Sequence, residues 1–167
     1  MQRIVEQMLL LTRTAEHGTT TYDDVDLDDL VLADVRRLGH GSLRLDTTGI
    51  GPARVRGDAG ALAQVVRNLL DNAARHAATT VAVSVRATGS SVVLLVDDDG
   101  HGVPEAERER VFERFVRLDE ARARDDGGSG LGLAIVAEIV RVHGGTTSVE
   151  TSPAGGARFV VRLPAGG

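Results

Sequence analysis

Cysteine and lysine are both missing from this chain, and aromatic residues make up only 2% of its 167 residues. Without cysteine the chain has no disulfide, no thiolate nucleophile and no cysteine metal site. Without lysine it has neither the lysine of a phosphate-binding P-loop nor a Schiff-base lysine, and all 19 of its Lys or Arg residues are arginine. Because aromatic residues are so few, the core is expected to consist mainly of Val, Leu, Ile and Ala.

Long apolar runs are also missing. No run approaches the ~18–20 residues that a membrane-spanning helix needs, and the amphipathic pattern beginning at Met1 is not that of a signal peptide. The net charge of −5 argues against a nucleic-acid-binding surface, so we expect no nucleic-acid partner. Hydrophobic residues reach 42%, enough for a folded core. We therefore expect a soluble chain that makes no direct membrane contact and contains one compact domain with an appendage.

Apolar periodicity divides the chain into four segments. Residues 1–17 begin with an apolar stripe at helical spacing, and residues 18–25 are predicted to be a linker. Residues 26–164 carry the pattern of a folded domain, and residues 165–167 form a tail. The domain alternates helical and strand patterns, so it is expected to belong to the α/β class.

The first half of the domain is predicted to contain two helices and a strand pair. Asp26 is the candidate N-cap of the first helix, and Asp58 is that of a second helix running to about Ala77. Residues 42–46 alternate like a strand, and residues 53–56 are interpreted as their partner across a glycine-rich turn.

The second half is predicted to contain a central strand, a helix and a terminal hairpin. Residues 92–96 are continuously apolar, which indicates a strand covered on both faces. A final helix is expected to begin at Ser129 or Gly130 and to run to Val142, and a hairpin is expected to turn at residues 152–156.

The second helix has a polar edge. Asn68 and Asn72 lie about 40° apart around the helix axis, with Arg75 and His76 beside them. Amide oxygens suit a hard cation such as Mg²⁺, and arginine suits phosphate. This edge therefore predicts a site for the metal and phosphates of a nucleotide, although a solvated polar face would have the same composition.

Two glycine loops follow. Asp98 and two glycines, Gly100 and Gly102, come directly after the apolar strand; a carboxylate there can accept from an exocyclic amine while the glycines let backbone approach a flat ring. A plain acidic turn, with glycines for positive φ, would have the same sequence pattern. Residues 128–133 open a helix, where free N–H groups favour an anion. The glycine spacing is not that of a dinucleotide fingerprint, and the absence of lysine excludes a Walker loop.

Taken together, these motifs resemble those of the catalytic ATP-binding domain of sensor histidine kinases. The order is Asn-x-x-x-Asn, then Asp-x-Gly-x-Gly-x-Pro, Phe-Glu-Arg-Phe, and Gly-x-Gly-Leu-Gly-Leu-Ala-Ile-Val, and the resemblance covers about residues 26–164. The implied fold is a two-layer α/β sandwich, with a mixed, mostly antiparallel sheet covered by helices on one face. A flexible ATP lid is implied at residues 116–128.

The resemblance also implies roles for individual residues. Asn68, Asn72 and Arg117 are the implied catalytic contacts, Asn72 is the implied Mg²⁺ ligand, and Asp98 is implied to accept from the adenine amine. The implied contacts of ATP are the polar helix edge, both glycine loops and the phenylalanine motif, namely Asn68, Asn72, Arg75, His76, Asp98, Gly100, Gly102, Val103, Phe112, Arg117, Gly128, Ser129, Gly130, Leu131, Gly132 and Leu133.

Residues 1–17 resemble the end of the second helix of the family's dimerisation hairpin. The first hairpin helix, with its phosphoacceptor histidine, is expected to belong to a larger receptor of which this chain is a piece. The implied partners are that dimerisation domain and a response regulator, and the implied location is the cytoplasmic side of a bacterial membrane-bound receptor. The chain alone is expected to bind ATP and Mg²⁺ without phosphorylating itself.

Other functions remain open from the sequence alone. The same fold occurs in mismatch-repair, type II topoisomerase and heat-shock chaperone ATPases and in anti-sigma-factor serine kinases. A degenerate nucleotide-binding module without catalysis is a further alternative.

Overall fold

The computed structural model describes residues 21–116 and 130–167. The predicted hairpin helix at 1–17, Arg117, Gly128 and Ser129 lie outside the described residues, as does the predicted lid apart from residue 116.

Three α-helices and seven strands are present in the described part of the chain, together with two short 3₁₀ helices at Glu105–Glu107 and Arg110–Phe112. In chain order the elements are β1 (Asp23–Asp26), α1 (Leu27–Leu38), β2 (Arg44–Ile50), β3 (Arg54–Gly57), α2 (Ala59–His76), β4 (Thr80–Thr88), β5 (Ser91–Asp98), α3 (Gly132–Val142), β6 (Thr146–Thr151) and β7 (Ala157–Pro164).

The main sheet has five strands in the order β2-β4-β5-β7-β6. Only the β2–β4 pair is parallel, and the three other pairs are antiparallel. The helices pack on one face of this sheet, so the predicted two-layer α/β sandwich with a mixed, mostly antiparallel sheet is confirmed. The fully buried large side chains are all aliphatic, as the shortage of aromatic residues predicted; they are Leu27, Leu62, Leu69, Leu70, Leu94, Leu131, Ile135, Ile139, Val31, Val55, Val65 and Val66.

Strand β5 occupies the middle of the sheet but is covered on one face only. Val92, Leu94 and Val96 are buried under the helices, whereas Val93 and Leu95 are half-buried on the opposite face. The prediction of a strand covered on both faces was therefore wrong. Apolar residues on the open face hid the period of two that distinguishes a half-covered strand.

Two predicted features of the first half of the domain are corrected. Residues 42–46 and 53–56 do not form a hairpin, because β2 pairs with β4 and β3 pairs with β1 in a separate two-stranded sheet. Alternation identifies a strand without identifying its partner. The predicted linker at 18–25 runs into β1, whose three aspartates disfavour a strand assignment, although Val25 is buried in the core.

Asp58 caps α2 as predicted, because its Oδ1 accepts from the N–H of Ala61 at 2.8 Å. Asp26 occupies the N-cap position of α1 without a side-chain cap bond. It pairs instead with Arg54 of β3 at 2.9 Å, so its carboxylate joins the two strands of the small sheet.

His143 occupies the C-cap of α3 and uses both of its ring nitrogens there. Its Nε2 lies 3.1 Å from the backbone N–H of Asp58, and its Nδ1 lies 2.7 Å from the carbonyl oxygen of Ile139. Because the N–H of Asp58 can only donate, Nε2 is the acceptor and Nδ1 carries the proton. The His143 ring therefore joins the end of α3 to the start of α2.

Candidate functional site

Asp98 lies at the carboxyl end of β5 and is only 2% exposed. Its Oδ1 accepts hydrogen bonds from the backbone N–H of Gly100 at 2.9 Å and of Ala157 at 3.2 Å. Its other oxygen, Oδ2, accepts no hydrogen bond from the described residues. No fully buried side-chain oxygen in this part of the chain lacks a partner, so Oδ2 reaches the accessible surface. The carboxylate is held on one side and offers an acceptor on the other.

The two neighbouring aspartates have both oxygens engaged. Asp97 forms a two-point ion pair with Arg158 of β7, with N–O distances of 2.7 and 2.8 Å, and this hydrogen-bonded pairing raises the pKa of the Arg158 guanidinium. Asp99 accepts from the Thr79 hydroxyl and from the backbone N–H groups of residues 78, 79 and 80. Within this acidic run, Asp98 is the residue that keeps an oxygen for a ligand.

Asp99 gives the connection between α2 and β4 a pH dependence. The Thr79 hydroxyl first, and then the backbone N–H groups around it, hold the pKa of the Asp99 carboxyl well below its usual value of 3.8. A pKa that is lower in the folded chain contributes stability above the unfolded value, and this stability is lost as the pH falls below it. We expect Asp99→Asn to lower the thermal midpoint at pH 7.

The difference in midpoint between wild type and Asp99→Asn should shrink as the pH falls below about 4, near the unfolded pKa of aspartate. Thermal unfolding of both proteins from pH 7 to pH 3 measures this. A difference that is the same at both ends of the range would contradict the role given to the ionised carboxylate.

Close backbone approach requires glycine at two positions around Asp98. A Cβ at Gly100 would lie 2.0 Å from the carbonyl oxygen of His76, the last residue of α2. A Cβ at Gly156 would lie 2.3 Å from both the carbonyl oxygen and Oδ1 of Asp98. Gly156 and Ala157 were not among the predicted site residues, because the glycines and proline of residues 152–156 indicate a turn and nothing more. The sequence signal for this contact is the pair of adjacent glycines, Gly155 and Gly156. The φ of +95° explains the glycine at 155, whereas the glycine at 156 is explained by its contact with Asp98.

The two asparagines of α2 are in different states. Asn68 is 9% exposed and uses both ends of its amide: Oδ1 accepts from Gln64 Nε2 at 2.7 Å, and Nδ2 donates to the carbonyl oxygen of Gly132 at 3.1 Å. Asn72 is half-buried and makes no side-chain hydrogen bond with the described residues. Arg75 is exposed and forms no ion pair with them, and His76 is exposed at the helix end.

The second glycine loop leads directly into α3. Gly130 has φ of +70°, and its carbonyl oxygen accepts from the N–H of Phe115 at 2.9 Å. Leu131 is fully buried, and the first helical hydrogen bond runs from Ile135 N–H to its carbonyl oxygen. The N–H groups of residues 132–134 therefore have no acceptor within the helix and suit an anion. The helix begins two to three residues later than predicted, at Gly132.

The phenylalanine motif is half packed and half exposed. Phe112 contacts Phe159 of β7 edge-to-face, with centroids 6.1 Å apart, while Phe115 is 58% exposed and has φ of +63°. Val103 and Leu133 pack partly against the core. Val103, Phe112 and Leu133 therefore join this part of the site to the core, whereas the Phe115 ring does not.

The structure brings several predicted residues together. The backbone of Gly100 meets that of His76, Asn68 meets Gly132, and a Cβ at Gly102 would lie 3.3 Å from the carbonyl oxygen of Gly156. Within residues 21–116 and 130–167, no cluster of three or more His, Asp or Glu side chains suits a metal ion. A Mg²⁺ bound to phosphates and water needs only one or two protein oxygens, and the uncommitted amide of Asn72 fits that donor set.

Comparison with known proteins identifies related chains. The family described as histidine kinase-, DNA gyrase B- and HSP90-like ATPase matches residues 57–167. The histidine-protein kinase/phosphatase MprB of Mycobacterium sp. (strain KMS) is 44% identical over 98% of this chain and 33% of its own length. The sensor-type histidine kinase PrrB of Mycobacterium tuberculosis is 41% identical over 97% of this chain and 37% of its own.

Solved structures agree. The ATP-binding domain of PrrB from Mycobacterium tuberculosis superposes with a TM-score of 0.71 at 36% identity, covering 88% of this chain and 99% of that one. Full-length ShkA in complex with AMPPNP superposes with a TM-score of 0.80 at 27% identity, covering 98% of this chain and 35% of that one. The chain thus spans about a third of the length of the curated relatives it matches. Among the described residues, no helix is long and apolar enough to cross a membrane.

Proposed function

Because this chain belongs to the histidine kinase-, DNA gyrase B- and HSP90-like ATPase family, as the ATP-binding catalytic domain of a sensor histidine kinase, we propose that it binds ATP with Mg²⁺. In the proposed reaction, the γ-phosphoryl group is transferred to a histidine of a dimerisation domain, for relay to a response regulator. The observation that carries this proposal is the Asp98 carboxylate, which two backbone N–H groups hold while Oδ2 stays uncommitted. The similar chains are sensor kinases, which favours this function over a serine kinase or a degenerate module.

Each part of the site is assigned one task. Asp98 accepts from the exocyclic amine of adenine, and Gly100 and Gly102 let the backbone lie against the ring. The N–H groups that open α3 and the guanidinium of Arg75 bind phosphate oxygens, with Arg117, Gly128 and Ser129 as proposed further contacts.

Asn72 holds Mg²⁺, which neutralises charge on the phosphates when bound. Phosphoryl transfer depends on alignment of donor and acceptor and on charge stabilisation, so the chain contributes position more than covalent chemistry. We place the domain on the cytoplasmic side of a bacterial membrane receptor, as the resemblance implies.

Replacing Asn72 tests the metal and the function in one assay. The wild-type chain is incubated with γ-labelled ATP, Mg²⁺ and a separately supplied dimerisation domain that carries the phosphoacceptor histidine. We expect acid-labile label on the added domain, and at least roughly tenfold less with Asn72→Ala, as expected for loss of ~1.4 kcal/mol of charged interaction. The thermal midpoint should stay near wild type, because alanine is the better helix former and the Asn72 side chain makes no hydrogen bond with the described residues.

Asn72→Asp is the matched control, because it keeps an oxygen ligand at the same position and should keep Mg²⁺-dependent binding. Fluorescent ATP analogue is titrated into all three proteins with and without Mg²⁺. Wild-type binding that is indifferent to Mg²⁺ would overturn the metal role, and a wild type that binds no analogue at all would overturn the function.

A further inference from the structure

The orientation of the Asn68 amide follows from its partner on α3. One end of the amide lies 3.1 Å from the carbonyl oxygen of Gly132, and a carbonyl oxygen can only accept. The atom facing Gly132 is therefore the NH₂ group of Asn68. The amide oxygen must point the opposite way, along α2.

Gln64 completes that arrangement one helical turn earlier. Its Nε2 donates a short hydrogen bond to Asn68 Oδ1 at 2.7 Å, and Asn68 itself is only 9% exposed. Residues four apart lie on the same face of a helix, so Gln64 is the natural partner at this spacing. With Oδ1 engaged in this way, Asn68 is a donor to the second glycine loop, in contrast to the uncommitted Asn72.

We propose that Gln64 is a positioning residue for the nucleotide site: by donating to Asn68 Oδ1, it holds the Asn68 NH₂ group against the Gly132 carbonyl and so fixes the start of the phosphate-binding helix. Gly132 is the first residue of α3, and a Cβ there would lie 3.8 Å from Asn68 Cγ. The structure contains both hydrogen bonds, from Gln64 to Asn68 and from Asn68 to Gly132. Their effect on phosphate binding rests on the proposed function. Asn68 then acts through the loop, and Asn72 alone of the two supplies oxygen to Mg²⁺.

Removing the donor of Gln64 should release Asn68. In Gln64→Met the side chain keeps its length but cannot donate, so the Asn68 amide is free to rotate and to place oxygen against the Gly132 carbonyl. In Gln64→Glu the ionised carboxylate faces Asn68 Oδ1 and repels it. Once protonated, that carboxyl carries an O–H that can donate to Oδ1 again.

The test measures affinity for a fluorescent ATP analogue at pH 7.5 and at pH 5. Both Gln64 variants should bind roughly tenfold more weakly than wild type at pH 7.5, about the effect of one well-made hydrogen bond. Gln64→Glu should regain about two- to threefold in affinity relative to wild type at pH 5, where roughly a sixth of an ordinary glutamate is protonated, and Gln64→Met should not. Ala63→Glu adds the same charge at the next position, ~100° away around the helix, and should stay within about twofold of wild type at both pH values.

A second readout uses the protein without nucleotide. Exchange of the Asn68 side-chain NH₂ protons, followed by NMR, should be several-fold faster in Gln64→Met, with the thermal midpoint showing that the variant is folded. Affinity without Mg²⁺ should fall by the same factor as affinity with it, because the loop contacts phosphate directly.

Two results would overturn the role of Gln64. One is wild-type affinity together with unchanged Asn68 exchange in Gln64→Met, and the other is a loss of affinity that appears only with Mg²⁺. If wild type fails to bind the analogue, the proposed function fails, while the exchange measurement still decides whether Gln64 holds Asn68.

Discussion

Asp98→Asn should weaken ATP binding roughly 10–100-fold, which corresponds to about 1.4–2.7 kcal/mol for a lost charge-assisted hydrogen bond. Asparagine can still accept from the N–H groups of Gly100 and Ala157 through its oxygen, so the loop should keep its shape. The amide NH₂ then replaces Oδ2 and faces the adenine amine as a second donor. Affinity for ATP should fall while affinity for ITP, whose ring carries an acceptor at that position, should fall less or rise.

Asp97→Asn is the matched control for this result. It makes the same change of charge one residue away, on a side chain that pairs with Arg158 on the open face of the sheet. We expect near-wild-type affinity for both nucleotides and a small loss of stability from the weakened ion pair. Titration of ATP and ITP into the three proteins measures both effects. An unchanged ratio of ATP to ITP affinity in Asp98→Asn would remove Asp98 from base recognition.

Gly156→Ala should have the second large effect, because its Cβ would lie 2.3 Å from Asp98 Oδ1 and 2.6 Å from the backbone nitrogen of Gly100. Neither partner is the free end of a flexible side chain, so the glycine loop or the terminal hairpin must move. Overpacking of this kind costs about 1–3 kcal/mol, equivalent to a thermal midpoint lower by roughly 2–12 °C. Displacement of Asp98 should also weaken ATP binding at least about tenfold.

Gly155→Ala separates this collision from ordinary backbone strain. Gly155 has φ of +95°, and an added Cβ would meet nothing within 4 Å. The substitution should therefore cost about 1–2 kcal/mol of stability for the left-handed backbone and leave affinity within about twofold of wild type. Equal losses of ATP affinity in the two variants would show that the hairpin turn as a whole, and not the contact with Asp98, supports the site.

The predicted nucleotide site rests on local signals that need no tertiary information. Asp58 caps α2 as predicted, since a cap depends on residues within one turn of each other. Gly100 and Gly102 come directly after β5, so their place at the end of a strand could be predicted from the apolar run that precedes them. The terminal hairpin of β6 and β7 also forms where the alternation and the turn residues placed it.

The tertiary structure alone decided which strands pair and which polar atoms remain free. The partners of β2 and β3 lie far along the chain, and a period of two carries no information about them. Helical spacing gives Asn68 and Asn72 the same predicted environment. In the structure, the Asn68 amide donates to the Gly132 carbonyl, whereas the Asn72 amide makes no hydrogen bond with the described residues. Gly156 became part of the site only because antiparallel pairing of β5 with β7 brings the hairpin turn against Asp98. Residues that are distant in sequence meet only after long-range pairing is settled, and no local pattern encodes those distances.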